Sequence, residues 1–319
     1  MTTVWEVFEA QARHRPAAVA IRGAEELSYG ELAGHAEELA RKLLARTRPG
    51  TLVALEATGT AAGTIAFLAA AKAGCPILPL SPDSPPRHRA GILSRARPGL
   101  LLREQPGPSF AIEPVTLDDP GPGQDPAAPW PPGLAQAAYV MFTSGSTGKP
   151  KGVVVSHDAL LCRLRGMARR PGFGEQDSFL AMTALSFDPC LAELLMPLVV
   201  GGQIVAAPPT ARLDPEIFAE TVRAGRPSVI QATPSFWRLA LTSGWTGAPD
   251  STLWCGGEAL TPGLAARLLP VSAGLWNVYG PTETTVWSCA AHVTSPESIG
   301  LGRPLDGTGL ALAATDADD

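Results

Sequence analysis

One stretch of the sequence combines residue types that bind anions. It covers residues 143–152, reads Thr-Ser-Gly-Ser-Thr-Gly-Lys-Pro-Lys-Gly, and directly follows the apolar run 139–142. Glycines let the backbone approach an anion closely, while hydroxyls, backbone N–H groups and lysines supply donors and positive charge. The Walker spacing is absent, because Gly145 is followed five places later by Pro150. We therefore predict a phosphate-binding loop of another kind, with a flexible surface turn as the alternative.

The overall composition excludes several classes of protein. The 319 residues carry a net charge of −5, and 45% of them are hydrophobic, which is too apolar for disorder and lacks the basic excess of nucleic-acid binders. The longest apolar run, at 64–71, is too short to cross a bilayer, and the N-terminus does not resemble a signal peptide. The five cysteines have no metal-ligand spacing. We predict a soluble cytoplasmic protein with reduced thiols and no nucleic-acid or membrane partner.

The apolar spacing predicts strands that alternate with helices. Predicted helices cover 4–14, 60–73, 158–167 and a segment from 28 to about 45, which a Ser28–Glu31 capping box would open. Predicted strands cover 18–21, 52–55, 77–80 and 153–155, and further core segments lie at 194–200, 228–230 and 252–254. The Pro- and Gly-rich segment 104–134 is an exposed connection with one strand at 110–115. This alternation favours a mostly parallel sheet covered by helices on both faces.

The predicted phosphate loop and several further segments together resemble the motifs of one enzyme family. Residues 143–152 resemble the signature loop of adenylate-forming enzymes, and most closely that of nonribosomal peptide synthetase adenylation domains. Further segments resemble motifs of that family in the same order, at 27–32, 72–80, 187–190, 277–285 and 299–304. One departure is the lack of an aromatic residue near Pro76. The resemblance implies an α/β fold with two subdomains, whose parallel-rich sheets are flanked by helices and enclose the active site.

The resemblance also implies a reaction in two steps. An amino-acid carboxylate attacks the α-phosphate of ATP, with Mg²⁺ bound, and releases pyrophosphate from an aminoacyl adenylate. The phosphopantetheine thiol of a peptidyl carrier protein then takes the acyl group, and a small MbtH-like helper protein is a further partner that the family allows. No covalent enzyme nucleophile is needed in the first step, so the expected residues are donors, cations and a magnesium ligand.

The family roles carry over to matching residues on the nucleotide side. Thr143, Lys151, Thr282 and Glu283 are the predicted catalytic residues: the first two contact phosphates, Thr282 donates to the α-phosphate, and Glu283 holds Mg²⁺. Tyr279 is expected to stack on adenine and Asn277 to contact its polar edge. The remaining predicted nucleotide contacts are Ser144, Gly145, Ser146, Thr147, Gly148, Gly257, Glu258, Ala259 and Gly280.

On the substrate side, Asp188 lies in a largely apolar stretch. A buried carboxylate needs a partner, and the resemblance makes that partner the substrate ammonium; an Asp that caps a following helix is the alternative. Phe187 is expected to be a gating aromatic beside the carboxylate. The predicted pocket walls are Pro189, Ala192, Gln231, Trp254, Gly256, Val278, Val286 and Trp287. Two indoles and one glutamine suggest a restricted pocket with a single polar contact, although the tryptophans could equally be core residues.

Family members continue beyond this chain. We interpret residues 1–319 as the N-terminal core of an adenylation domain, with most of the β-barrel subdomain and the C-terminal domain missing. The absent C-terminal domain would supply a lysine that offsets repulsion between two anions, so this chain alone is expected to be a weak catalyst. Two alternatives stay open: a non-catalytic remnant that binds nucleotide or a partner, and an acyl- or aryl-acid ligase.

Overall fold

Two β-sheets and the helices around them make up the structure, a computed structural model that describes residues 2–105, 112–115, 134–143 and 150–311. The helices, numbered in chain order, are α1 (Val4–His14), α2 (Tyr29–Leu44), α3 (Thr60–Ala73), α4 (Pro86–Ala96), α5 (His157–Met167), α6 (Cys190–Leu194), α7 (Met196–Val200), α8 (Pro215–Gly225), α9 (Pro234–Thr242) and α10 (Pro262–Leu268). The strands are β1 (Val19–Arg22), β2 (Leu27–Ser28), β3 (Val53–Glu56), β4 (Ile77–Leu80), β5 (Leu100–Glu104), β6 (Ile112–Val115), β7 (Ala137–Thr143), β8 (Lys151–Ser156), β9 (Ser178–Ala181), β10 (Gln203–Ala206), β11 (Val229–Ala232), β12 (Ala248–Gly256), β13 (Ser272–Tyr279), β14 (Cys289–Val293) and β15 (Arg303–Pro304).

Both sheets are parallel at their centres and antiparallel at their edges. Within the described residues the larger sheet has nine strands, in the order β15-β14-β13-β12-β11-β9-β10-β1-β2, and the smaller has six, in the order β6-β5-β3-β4-β7-β8. The strands from β13 to β1 run parallel, and so do β5, β3, β4 and β7. Buried parallel strands need helices on their faces, and this arrangement confirms the predicted α/β class.

The local patterns placed most elements within a few residues. Ser28 and Glu31 form the predicted capping box, in which the backbone N–H of Glu31 donates to Ser28 Oγ at 3.2 Å and the backbone N–H of Ser28 donates to Glu31 Oε2 at 2.8 Å. The core segment predicted at 194–200 belongs to two short helices, α6 and α7. Of the predicted strand 110–115, residues 112–115 form β6, and residues 110–111 lie outside the described part of the chain.

The main hydrophobic core lies between the two sheets. Helix α3 is buried along nearly all of its length, and the same cluster contains Val53 and Leu55 of the smaller sheet and Phe179 and Ile204 of the larger sheet. The small residues of this helix allow close packing. At Gly63, for example, an added Cβ would lie 2.7 Å from Leu185 Cδ1. Helix α3 therefore holds the sheets together close to the segment that carries Asp188. No helix in the described part of the chain could span a membrane.

Candidate active site

Several neighbouring parallel strands of the larger sheet end at one edge. Strands β9, β11, β12 and β13 are parallel, so their carboxyl ends lie side by side. The predicted substrate and nucleotide segments follow these ends directly, at 182–189 after β9, 257–259 after β12 and 280–287 after β13. Ligands of open α/β sheets bind at this edge. The topology therefore gathers segments that lie far apart in the sequence.

Two cavities open at this edge and share a wall. The first has a volume of about 590 Å³ and faces the larger sheet. The second, of about 640 Å³, extends to the smaller sheet. The residues common to both are Ala184, Phe187, Asp188, Arg212 and Thr282. Thr143, where β7 ends, lines the second cavity together with Thr282. The strand that enters the predicted phosphate loop and the Tyr-Gly-Pro-Thr-Glu segment thus meet at one cleft.

The predicted phosphate loop connects two paired strands. Thr143 and Lys151 are direct cross-strand partners in the antiparallel ladder of β7 and β8. Lys151 is exposed, so its ammonium group is accessible to an anion. Ser144, Gly145, Ser146, Thr147 and Gly148 lie outside the described residues, and their predicted phosphate contacts stay predictions.

Asp188 is a buried carboxylate at the junction of the two cavities. Burial raises its pKa to about 6, an effect that hydrogen bonds from the Val286 backbone N–H and the Thr282 hydroxyl partly offset. The N–H of Val286 donates to Asp188 Oδ2 at 3.1 Å. Helix α6, which follows, begins at Cys190 and has no side-chain cap. The alternative interpretation, in which Asp188 caps this helix, is therefore wrong. Asp188 instead lines both cavities of the cleft.

A strained turn holds the donor to Asp188. Thr285 and Val286 have φ values of 69° and 60°, a region that branched side chains rarely adopt. Gly280 packs against the same turn so closely that an added Cβ would lie 2.4 Å from the carbonyl oxygen of Val286. Such strain persists only where surrounding contacts enforce it, and it is common at functional sites. Here the strained backbone aims the Val286 N–H at Asp188.

Beneath the first cavity, three polar side chains form a buried network. Trp287 Nε1–H donates to Gln231 Oε1 at 2.7 Å, and Gln231 Nε2–H donates to Glu193 Oε1 at 2.9 Å and to the Pro189 carbonyl at 3.1 Å. Glu193 also accepts the backbone N–H groups of Met182 and Thr183 and the Thr183 hydroxyl. Its burial raises its pKa to about 7. The predicted polar wall residue Gln231 is therefore held by protein groups at both ends of its amide.

The predicted pocket walls divide into two groups. Pro189, Gln231, Gly256 and Trp287 line the first cavity together with Phe187 and Asp188. The other four are buried in the hydrophobic core: Ala192, Trp254, Val278 and Val286. Phe187 is 65% exposed and lines both cavities, and its gating role stays a prediction. Four of the eight predicted wall residues therefore line the cavity, and the other four do not.

On the nucleotide side, Gly257, Glu258 and Gly280 line the first cavity. Tyr279 is 47% exposed, which leaves part of its ring accessible for stacking. Asn277 is buried, and its Nδ2–H donates to the Gly300 carbonyl at 2.8 Å, so this amide group also anchors the 299–304 segment. Ala259 is exposed beside Glu258.

Glu283 is an exposed carboxylate in the turn Thr282–Thr284. The negative charge of Glu283 is close enough to Asp188 to contribute to the raised pKa of Asp188. No group of three or more His, Cys, Asp or Glu side chains in the described residues is arranged to hold a metal ion. Mg²⁺ that binds chiefly to substrate phosphates needs only one or two carboxylates. A lone Glu283 beside Thr282 fits that mode of binding.

Two residues, one beneath the cleft and one in its wall, were missed by sequence reasoning. Glu193 interrupts the apolar run 189–200, and a charge inside such a run was the signal for it. Arg212 lines both cavities and pairs with Asp83, which follows β4, at 2.6 Å. Arg212 has no local signature, because only the folded chain brings the region before α8 to the smaller sheet.

Comparison with known proteins agrees with this arrangement. Residues 8–318 match the family described as AMP-binding enzyme. Tyrocidine synthase 3 of Brevibacillus parabrevis is 33% identical over 97% of this chain and 5% of the synthase, and the dimodular nonribosomal peptide synthase of Bacillus subtilis (strain 168) is 32% identical over 92% of this chain and 13% of that protein. Among solved structures, holo-AB3403, a four-domain nonribosomal peptide synthetase bound to AMP and glycine, has a TM-score of 0.83 at 33% identity, covering 96% of this chain and 23% of that one.

The two sheets and the cleft between them define a protein of the adenylate-forming class. The chain belongs to the AMP-binding enzyme family, and its relatives are nonribosomal peptide synthetase adenylation domains. Enzymes of this family use ATP. The chain spans 5% of the length of tyrocidine synthase 3 and 13% of the length of the dimodular synthase.

Proposed function

We propose that this chain is the ATP- and amino-acid-binding core of an adenylation domain and activates an amino acid as its aminoacyl adenylate. The observation that carries the proposal is Asp188, a buried carboxylate with no Lys or Arg ion-pair partner among the described residues. A charge in that position is costly unless a cation joins it. The α-ammonium of an amino acid supplies the cation, and the structure with AMP and glycine described for a relative supports this substrate class.

The proposed reaction places two anions side by side. The amino-acid carboxylate oxygen attacks the α-phosphorus of ATP, a new O–P bond forms, and the bond to pyrophosphate breaks. Asp188 holds the ammonium, Thr282 donates to the α-phosphate, and Lys151 with Thr143 faces the outer phosphates. Mg²⁺ held at Glu283 would neutralise charge on the phosphates. Catalysis of this kind rests on positioning and electrostatic stabilisation rather than on a covalent enzyme intermediate.

The later step and its partners are part of the same proposal. The aminoacyl group passes to the phosphopantetheine thiol of a peptidyl carrier protein, and an MbtH-like helper is a further candidate partner. Residues 1–319 act as the N-terminal core, and the lysine that family members carry in their C-terminal domain completes the site. The relatives' names, which are those of peptide synthases, support this assignment.

Amino-acid-dependent exchange of radiolabelled pyrophosphate into ATP tests the proposal. We expect exchange with at least one amino acid when the chain is joined to a C-terminal domain of the family, and little exchange by the chain alone. The matched variant Asp188→Asn should lose the amino-acid-dependent part. Exchange driven equally by a carboxylic acid without an amine would instead identify an acid ligase. Nucleotide binding without any exchange would identify a non-catalytic remnant.

A further inference from the structure

A closed ring of hydrogen bonds includes the carboxyl group of Asp188. The Val286 N–H donates to Asp188 Oδ2 at 3.1 Å, and the next residue, Trp287, donates its Nε1–H to Gln231 Oε1 at 2.7 Å. Gln231 Nε2–H then donates at 3.1 Å to the carbonyl of Pro189, which directly follows Asp188 in the chain. The ring therefore runs from Asp188 through the β13–β14 turn and β11 and returns to the peptide beside Asp188.

Glu193 connects this ring to the rest of the fold. Its side chain is fully buried, and its Oε1 accepts Gln231 Nε2–H at 2.9 Å. Its Oε2 accepts the backbone N–H groups of Met182 at 2.9 Å and Thr183 at 2.8 Å. One carboxyl group on α6 therefore joins the segment that follows β9 to strand β11, and both of these lie at the edge where the cleft opens.

An amide in place of the Glu193 carboxyl group could not keep these contacts. Both carboxyl oxygens accept N–H groups, and neither a backbone N–H nor an amide nitrogen can act as an acceptor instead. The Gln231 amide cannot turn over to compensate, because Trp287 Nε1–H only donates and the Pro189 carbonyl only accepts. Glu193→Gln would therefore place two buried donors against each other, either at the end of β9 or at Gln231.

We propose that Glu193 is a positioning residue for the substrate ammonium. It holds the Gln231 amide, and the ring then fixes the Pro189 carbonyl and the Val286 N–H, the two backbone groups beside the carboxyl group of Asp188. This inference rests on the proposed function, in which Asp188 binds the ammonium. Glu193 lines neither cavity of the cleft, so it acts on the ammonium through the ring rather than by contact.

Two sulfamoyl adenosines, which mimic acyl adenylates and do not react, measure the contribution of the ammonium. Glycyl sulfamoyl adenosine carries the ammonium and acetyl sulfamoyl adenosine lacks it, so the ratio of their Kd values isolates this group. By isothermal titration calorimetry, Glu193→Gln should reduce the preference for the glycyl compound by at least about 5-fold, as expected for residues coupled in one hydrogen-bond network. In the Asp188→Asn background the same change should have no further effect on the preference.

Two further variants separate positioning from loss of charge and from loss of stability. Gln231→Met keeps the carboxyl group of Glu193 but breaks the ring, so it should reduce the preference as much as Glu193→Gln does. The matched control is Glu104→Gln. The Glu104 carboxyl group also accepts two backbone N–H groups, from Thr58 at 2.7 Å and Gly59 at 3.3 Å, but it lines neither cavity. This control should lose stability and keep the wild-type preference.

The possible results distinguish the positioning role from the proposed function. If Glu193→Gln and Gln231→Met both melt cooperatively and keep the wild-type preference, the ring does not position the ammonium. A loss in Glu193→Gln alone would assign the effect to charge acting through space, and a loss that persists in the Asp188→Asn background would show that it bypasses Asp188. Either result overturns the inference and leaves the proposed function intact. A wild-type chain that does not prefer the glycyl compound would overturn the proposed function itself.

Discussion

At the scale of single residues, the cleft and its floor depend on two carboxyl groups whose pKa values are raised by burial. Asp188 and Glu193 both have raised pKa values, about 6 and about 7, because desolvation disfavours their charged forms. Their surroundings differ. Four protein donors surround Glu193, whereas Asp188 has one side open to both cavities. Glu193 is therefore a structural brace, and Asp188 is the group available to a ligand.

Replacing Asp188 by Asn should change how stability depends on pH. The Asp188 pKa rises from 3.8 in the unfolded chain to about 6 in the folded protein, so its stabilising contribution is complete below about pH 4 and is lost as the pH rises through 6. Relative to the wild type, Asp188→Asn should gain about 2–3 kcal/mol in the free energy of unfolding between pH 4 and 7. Urea unfolding at several pH values measures this, and the Glu193 contribution cancels in the comparison.

The same variant should lose affinity for the amine. The probes are glycyl sulfamoyl adenosine, a non-reactive mimic of an aminoacyl adenylate, and acetyl sulfamoyl adenosine, which has no ammonium. Without the carboxylate charge, binding of the glycyl compound should weaken by at least about 30-fold, while the acetyl compound should bind as before. Parallel stability curves for variant and wild type, or unchanged affinity for the glycyl compound, would contradict the assignment of Asp188.

At the scale of elements, the site is assembled at strand ends and depends on the turn between β13 and β14. This turn carries Thr282 and Glu283, the strained residues Thr285 and Val286, and then Trp287. In the proposed function this single segment therefore supplies groups to the nucleotide, the ammonium and the pocket floor. Its backbone is fixed by Gly280, which no larger residue can replace without moving the turn.

Two glycine-to-alanine changes separate crowding from backbone strain. At Gly280 an added Cβ would lie 2.4 Å from the Val286 carbonyl oxygen and 2.7 Å from Trp287 Cα, both backbone atoms that cannot yield, so we expect a loss of about 2–4 kcal/mol. At Gly257 the nearest atom would be 3.6 Å away, but φ is +85°, so only a backbone cost of about 1–2 kcal/mol is expected. Chemical denaturation measures both, and a larger loss at Gly257 than at Gly280 would contradict the crowded turn.

At the scale of the whole molecule, the cleft joins two sheets that share a core. Arg212 pairs with Asp83 across the second cavity, and Thr143 of the smaller sheet lines it with Thr282 of the larger sheet. A ligand in the cleft therefore contacts both halves of the fold. Ligand binding should stabilise the protein as a single unit rather than one sheet at a time.

Glycyl sulfamoyl adenosine provides a test of this coupling. At a free concentration 100 times its Kd, the compound should raise the free energy of unfolding by about 2.7 kcal/mol in one transition. Hydrogen exchange should slow at the carboxyl ends of β11–β13 and also in β7 and β8 of the smaller sheet. Protection confined to the larger sheet would show that the predicted phosphate loop does not share the ligand.

Whether a feature of the fold or the site could be predicted from the sequence depends on how far apart the interacting residues lie along the chain. The capping box at Ser28 and Glu31 spans three residues, and the strand-loop-strand at 137–156 is encoded by contiguous residues, so both were readable from the sequence. The bond between Val286 and Asp188 joins residues 98 positions apart, and the bond between Trp287 and Gln231 joins residues 56 apart. No local pattern encodes such pairs.

The sequence by itself therefore determined the α/β class, the order of the motifs and those cleft residues that lie within the motifs, because short-range periodicity and contiguous motifs carry that information. Only the tertiary structure decided which predicted wall residues face the cavity, that Ala192, Trp254, Val278 and Val286 lie behind it, and that Glu193 braces its floor. The physical reason is that burial, pKa shifts and hydrogen-bond saturation arise when distant segments pack together, and they exist only in the assembled fold.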